Sequence, residues 1–169
     1  MAKRIFSVPT FTPTAAADGA ALTSATYLAV VPGSATQMVN VMEIKGGGQA
    51  VASAVNIAMF ARSSTLGATP TALAAPASDG PANGATAALA LPVVAYTAAT
   101  TGPFRSAATT TARLTMTFNA FGGQFRWLAA PGEEWQMIGN AVSVSESTYS
   151  CFTGGNVGAQ DLSIIYEPF

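Results

Sequence analysis

In the run Arg113-Leu114-Thr115-Met116-Thr117-Phe118, polar and apolar side chains take turns residue by residue. A period of two gathers Leu, Met and Phe on one face only when the chain is extended, so this segment is predicted to be a strand with one face buried. The same alternation runs through Val39 to Lys45, Val55 to Met59, Ala141 to Ser145 and Leu162 to Tyr166. Further strands are expected over Thr26 to Val31, Gln124 to Ala129, Glu134 to Ile138 and Thr148 to Phe152. Between these segments stand Pro32-Gly33, Gly46-Gly47-Gly48, Gly122-Gly123, Pro131-Gly132, Gly139-Asn140 and Gly154-Gly155. They read as turns, because glycine supplies positive φ and proline a fixed one. Short strands punctuated in this way predict an all-β fold, a sandwich or a barrel.

Between Ser63 and Ala112 the texture changes to Ala, Thr, Gly and Pro, with Pro70, Pro76, Pro81, Pro92 and Pro103. Alanine favours helix, yet the prolines, glycines and β-branched threonines leave room only for a short helical turn near Ala85 to Leu91. Long ordered loops are expected here, with an embedded strand over Leu91 to Thr97. Leu89, Leu91, Val93, Val94 and Tyr96 supply apolar side chains that a disordered linker would lack.

Residues 1–14 carry Ile5, Phe6, Val8 and Phe11 among prolines and threonines. Two readings stay open for them: a first strand, or an extended arm that adds to the sheet edge of a neighbouring subunit. Under the second reading those four side chains are the interaction residues. Residues 15–169 are expected to form a single domain, since a chain of 169 residues suits one core that buries about two-thirds of its unfolded surface. No repeat of 20 to 50 residues is visible, which argues against propellers and solenoids.

Half of the residues are apolar and only 9% are charged, against roughly 25% in an ordinary soluble domain. Seven basic residues (Lys3, Arg4, Lys45, Arg62, Arg105, Arg113, Arg126) face eight acidic ones for a net charge of −1. The bases are scattered and form no stripe for a nucleic-acid backbone. So small a net charge also removes a barrier to self-association. The apolar run near the N-terminus is too short for a signal peptide and stops at Pro9. No window reaches the roughly 20 apolar residues that span a membrane. A protein made in a cytoplasm, without nucleic-acid or membrane partners, is expected.

The chain has no histidine, which excludes the Ser-His-Asp and Cys-His arrangements. A glycosidase needs only two carboxylates, and Asp18, Glu43, Asp79, Glu133, Glu134, Glu146, Asp161 and Glu167 are available. Glu133 and Glu134 are adjacent, however, so a strand would turn them to opposite faces. Gly46-Gly47-Gly48-Gln49 lacks the Lys-Ser/Thr of a phosphate loop. Cys151 is alone, reads as a small buried hydrophobe and has no metal-site spacing around it. No catalytic residue, metal site or cofactor is expected. Trp127 and Trp135, with Phe118, Phe121 and Phe125, are read mainly as core, with a sugar-stacking platform or an interface hot spot as the functional alternatives.

The run from Phe118 to Glu134, FNAFGGQFRWLAAPGEE, resembles a segment of the decoration, or cement, proteins of tailed-phage capsids. Val41-Met42-Glu43-Ile44, Gly47-Gly48-Gln49-Ala50 and Arg62-Ser63-Ser64-Thr65-Leu66-Gly67 resemble the same group. The resemblance implies a jelly-roll antiparallel β-sandwich. It also implies a homotrimer that sits on the outer capsid surface of the virion, binds the major capsid protein and clamps neighbouring capsomers. It assigns no contact residues and covers nothing of the N-terminal segment. The competing expectation is a carbohydrate-binding jelly roll of the phage-fibre or lectin type, carried by the two tryptophans and the polar loops.

Overall fold

The computed structural model describes residues 5–10, 28–30, 38–61, 71–73, 93–95, 112–138, 147–153 and 160–168. The described residues form strands and no helix. In chain order these are β1 (Phe6–Thr10), β2 (Leu28–Val30), β3 (Met38–Gln49), β4 (Val55–Ala61), β5 (Thr71–Leu73) and β6 (Val93–Ala95). They continue as β7 (Ala112–Asn119), β8 (Phe121–Leu128), β9 (Trp135–Ile138), β10 (Ser147–Thr153) and β11 (Gln160–Pro168). The fold is all-β, as the alternation requires. The strand expected over 141–145, the helical turn at 85–91 and the turns at Pro32-Gly33, Gly139-Asn140 and Gly154-Gly155 lie outside the described residues. The stretch read as loop with one embedded strand contains β6, as expected, and also β5, which the sequence did not announce.

Two antiparallel sheets result. The first has the order β1-β11-β3-β8, with β9 pairing β3 beyond the end of β8, and the second has the order β5-β6-β2-β10-β4-β7. Several of these pairs are nested along the chain: β1 with β11, β2 with β10, β3 with β8 and β9, and β4 with β7. The inward side chains of both sheets meet in one core. Phe6, Val39, Val41, Ile44, Phe125, Leu162, Ile164 and Tyr166 come from the first sheet, and Val30, Ala58, Phe60 and Phe118 from the second. Phe118 and Phe125 bridge the two with ring centroids 4.9 Å apart at 51°, a tilted arrangement that aromatic quadrupoles favour.

Two irregularities set which side chains face out. Val41 pairs Tyr166 while Glu43 pairs Ile165, so Met42 is an extra residue, a bulge in β3. The bulge shifts the phase of the alternation: Val39 and Val41 point inward, then Ile44 does, which leaves Glu43 and Lys45 on the outer face. On β8, Gly122 and Gly123 together oppose Gly48, and Gly122 takes φ +70°, the left-handed conformation that suits glycine at a bulge.

Three turn expectations can be compared with the described chain. Pro131-Gly132 is a turn, with Gly132 at φ +86°. Gly46-Gly47-Gly48 is not a flexible turn but part of β3, where Asp161 and Phe125 leave no room for a side chain at Gly46 and the Ala120 backbone leaves none at Gly48. Gly122-Gly123 is likewise inside β8, and the reversal falls at Ala120. Asn119 builds it. Its Oδ1 accepts the N–H of Phe121 at 2.8 Å, and its Nδ2 donates to Ser53 Oγ at 2.8 Å. The buried Ala120 backbone donates to Ala54 O at 2.8 Å and accepts from Ala50 N–H at 2.9 Å, so no peptide group is orphaned there.

Tyr166 offers a clean measurement of one polar atom in this core. Its ring is fully buried and stacks on Phe6 at 5.7 Å, but its hydroxyl has no hydrogen-bond partner among the described residues. A buried unsatisfied hydroxyl costs about 1–3 kcal/mol, so Tyr166→Phe is expected to be neutral or stabilising at pH 7. Burial pushes the phenol pKa upward from its ordinary value of 10.0. The unfolded chain then releases this proton near pH 10 while the folded chain keeps it, so rising pH favours unfolding. Urea titrations at pH 7 and pH 10.5 should show the variant gaining on the wild type at the higher pH. A constant difference would refute the buried, proton-retaining phenol.

Candidate functional site

The outer face of the first sheet carries an open depression. Its register is fixed by long-range pairing: Gly47 lies between Gln124 of β8 and Asp161 of β11, and Lys45 between Arg126 and Ser163. Gly47 has no side chain, so the row of side chains has a gap at that point. A cavity of about 370 Å³ opens there, lined by Lys45, Gly46, Gly47, Gln124, Phe125, Arg126 and Asp161. In the next row Gln49 pairs Phe121, whose side chain is 62% exposed.

The polar groups around the gap are held in part by each other. Arg126 Nε donates to Glu43 Oε1 at 2.7 Å, with the Glu43 side chain 12% exposed and the Arg126 side chain 63%. This is a partly buried pair whose arginine head stays in water. Gln49 Nε2 donates to Asp161 Oδ1 at 2.5 Å. Lys45 is exposed and sits directly across from Arg126. Like charges directly opposite on paired strands are unfavourable, and only Arg126 has a carboxylate partner among the described residues.

The residues named from sequence are distributed as follows. Phe6 and Val8 lie on β1, paired with Tyr166 and Ile164 of the same chain, and Phe6 is buried in the core. Ile5 is half-buried just before β1, and Phe11 lies outside the described residues. Of the two readings for this segment, the placement of residues 6–10 is that of a first strand. Asp18, Asp79 and Glu146 lie outside the described residues; Glu133 is exposed, Glu134 half-buried and Glu167 buried. Cys151 is on β10 opposite Ala58. Trp127 and Trp135 pack half-buried against the core, and Phe118 and Phe125 belong to it. Phe121 departs from the core reading and is exposed.

A second surface feature was not singled out by sequence. Val51, Val55 and Phe121 are 96%, 66% and 62% exposed, and the bonds between Ala50, Ala54 and Ala120 draw their backbone segments together. No formal charge occurs from Gly46 to Ala61 or from Leu114 to Phe125. The signal that could have found it is this paired absence of charge around the Asn119 turn.

No family model, curated protein or solved structure matches the chain.

Proposed function

We propose that this protein is a structural virion protein, a capsid decoration protein that binds the outer shell as a homotrimer and stabilises contacts between capsomers of the major capsid protein. The observation that carries the reading is that Val51, Val55 and Phe121, in segments without a formal charge, leave large apolar side chains exposed. Large apolar side chains left in water are available to a protein contact surface.

The architecture supports the same reading. The nested pairing of β1 with β11, β2 with β10, β3 with β8 and β9, and β4 with β7 is that of a long antiparallel ribbon folded over itself. With β3 also against β11 and β4 against β10, this pairing supports reading the two sheets as a jelly-roll sandwich of two Greek keys, with β5 and β6 added beside β2. The phrase resemblance in β3 and β8 supplies the capsid partner. A protein that binds only the assembled shell stabilises it by mass action. A trimer presenting three copies of its contact residues gains further from effective concentration, so each contact can be weak.

The test is direct. Light scattering of the purified protein at tens of micromolar is expected to give a trimer mass, and the trimer is expected to co-sediment with expanded phage shells and raise their melting temperature. Phe121→Ser, exposed and outside the core, should reduce shell binding at least tenfold while leaving the melting curve of the free protein within a few degrees. A monomer that ignores expanded shells would end this reading.

A further inference from the structure

We propose that the Gly47 depression on the outer face of the first sheet is a glycan-binding site, a role beyond the capsid reading that shares only Phe121 with it. The argument starts from the cost of the arrangement. Lys45 and Arg126 face each other across β3 and β8, an unfavourable pairing for the fold alone. Sites that depart from what stability prefers are where function is to be sought.

The chemistry of the rim selects the ligand class. Lys45 and the terminal nitrogens of Arg126 are donors, Asp161 is an acceptor with lone pairs beyond the one used by Gln49, and Gln124 offers both. A sugar hydroxyl donates and accepts at once, so a ring bearing several of them can satisfy this mixed set. The charges balance: Lys45 and Arg126 against Glu43 and Asp161. A ligand recognised by anionic charge alone would find two carboxylates beside the two cations. The absent side chain at Gly47 lets a ligand approach the sheet backbone. A Cβ there would sit 3.0 Å from Gly123 O and 3.6 Å from Gln124 Cγ, on the floor of the depression. Phe121, exposed in the adjoining row, offers an apolar face for the C–H side of a pyranose. The cavity of about 370 Å³ lies within the range of small-ligand sites, roughly 300–1,000 Å³, and has room for one or two sugar rings. The sugar contact is thus placed at Gly47, with the inward-packed Trp127 and Trp135 taking no part.

The experiment uses the full chain, labelled and applied to an array of bacterial and animal glycans, with a peptide array carrying aspartate- and glutamate-rich sequences as the competing probe. The wild type is expected to bind a defined subset of glycans. Asp161→Ala and Gln124→Ala, both on the rim and outside the core, are expected to lose at least tenfold in retention with unchanged thermal unfolding. Amide shifts induced by the best glycan should centre on Gly47. An empty glycan array overturns the proposal, as does glycan binding untouched in both variants. Retention of acidic peptides alone, abolished by Lys45→Ala, would overturn it in favour of a carboxylate site. Co-sedimentation of Asp161→Ala with expanded shells reports on the capsid reading separately.

Discussion

Replacing Gly48 by alanine is expected to remove about 3 kcal/mol or more of folding stability, enough to lower the urea midpoint sharply or to prevent folding at 37 °C. A Cβ at Gly48 would run into the backbone of Ala120, meeting its carbonyl oxygen first and its carbonyl carbon at 2.5 Å. That backbone cannot step aside, because Ala120 is fully buried and hydrogen-bonded to both Ala50 and Ala54. Overpacking a core that can relax costs typically 1–3 kcal/mol, and the clash here is with main chain rather than with a flexible side chain. The neighbouring Gly47→Ala is the control. Its Cβ would meet nothing nearer than 3.0 Å, so its urea midpoint should stay much closer to that of the wild type. Equal, small losses in the two variants would mean that the β7–β8 turn does not rest on β3.

Phe60→Ala is expected to cost about 3–5 kcal/mol, the range for truncating a buried aromatic ring. Phe60 is fully buried on β4, with Tyr149 of β10 on one side and Leu114 of β7 on the other, and belongs to the cluster that both sheets share. Against a typical domain stability of about 5–15 kcal/mol this is a large fraction. Urea unfolding should show the midpoint falling with the slope unchanged. Phe121→Ala, the same truncation at an exposed ring, should change stability by no more than about 0.5 kcal/mol. If the two cost the same, the ring at Phe60 is not inside the core.

Much of the strand content could be read from the chain. The alternations in 39–45, 55–59, 113–118 and 162–166 fall within β3, β4, β7 and β11, because a half-buried strand writes its two faces into a period of two. The glycine pairs were less informative. Glycine marks either a reversal or a close approach of backbones, and the residue alone does not say which. At Gly46 an added Cβ would meet the backbone oxygen of Asp161 and the Phe125 ring; at Gly48, the Ala120 backbone. Both contacts join residues more than 70 positions apart, so no local window could distinguish them from turns. The actual reversal was marked by Asn119, whose side chain bonds the backbone two residues on.

The candidate site was legible only in fragments. Lys45, Arg126 and Asp161 stood in the sequence as scattered charges, and Phe121 passed for a core ring because the aromatic residues take alternating positions on adjacent expected strands. Reading Trp127 and Trp135 as mainly core agrees with their packing against the cluster.

By itself the sequence determined that this chain is built of strands and which residues within a strand share a face, since both follow from local geometry. Only the tertiary structure decided the phase of those faces and the partners across them. The Met42 bulge turns Glu43 and Lys45 outward, and the Gly122 bulge sets Phe121 beside Gln49. The physical reason is that register is fixed by hydrogen bonding between β3, β8 and β11, segments far apart in the chain, and a single inserted residue reverses every side chain beyond it.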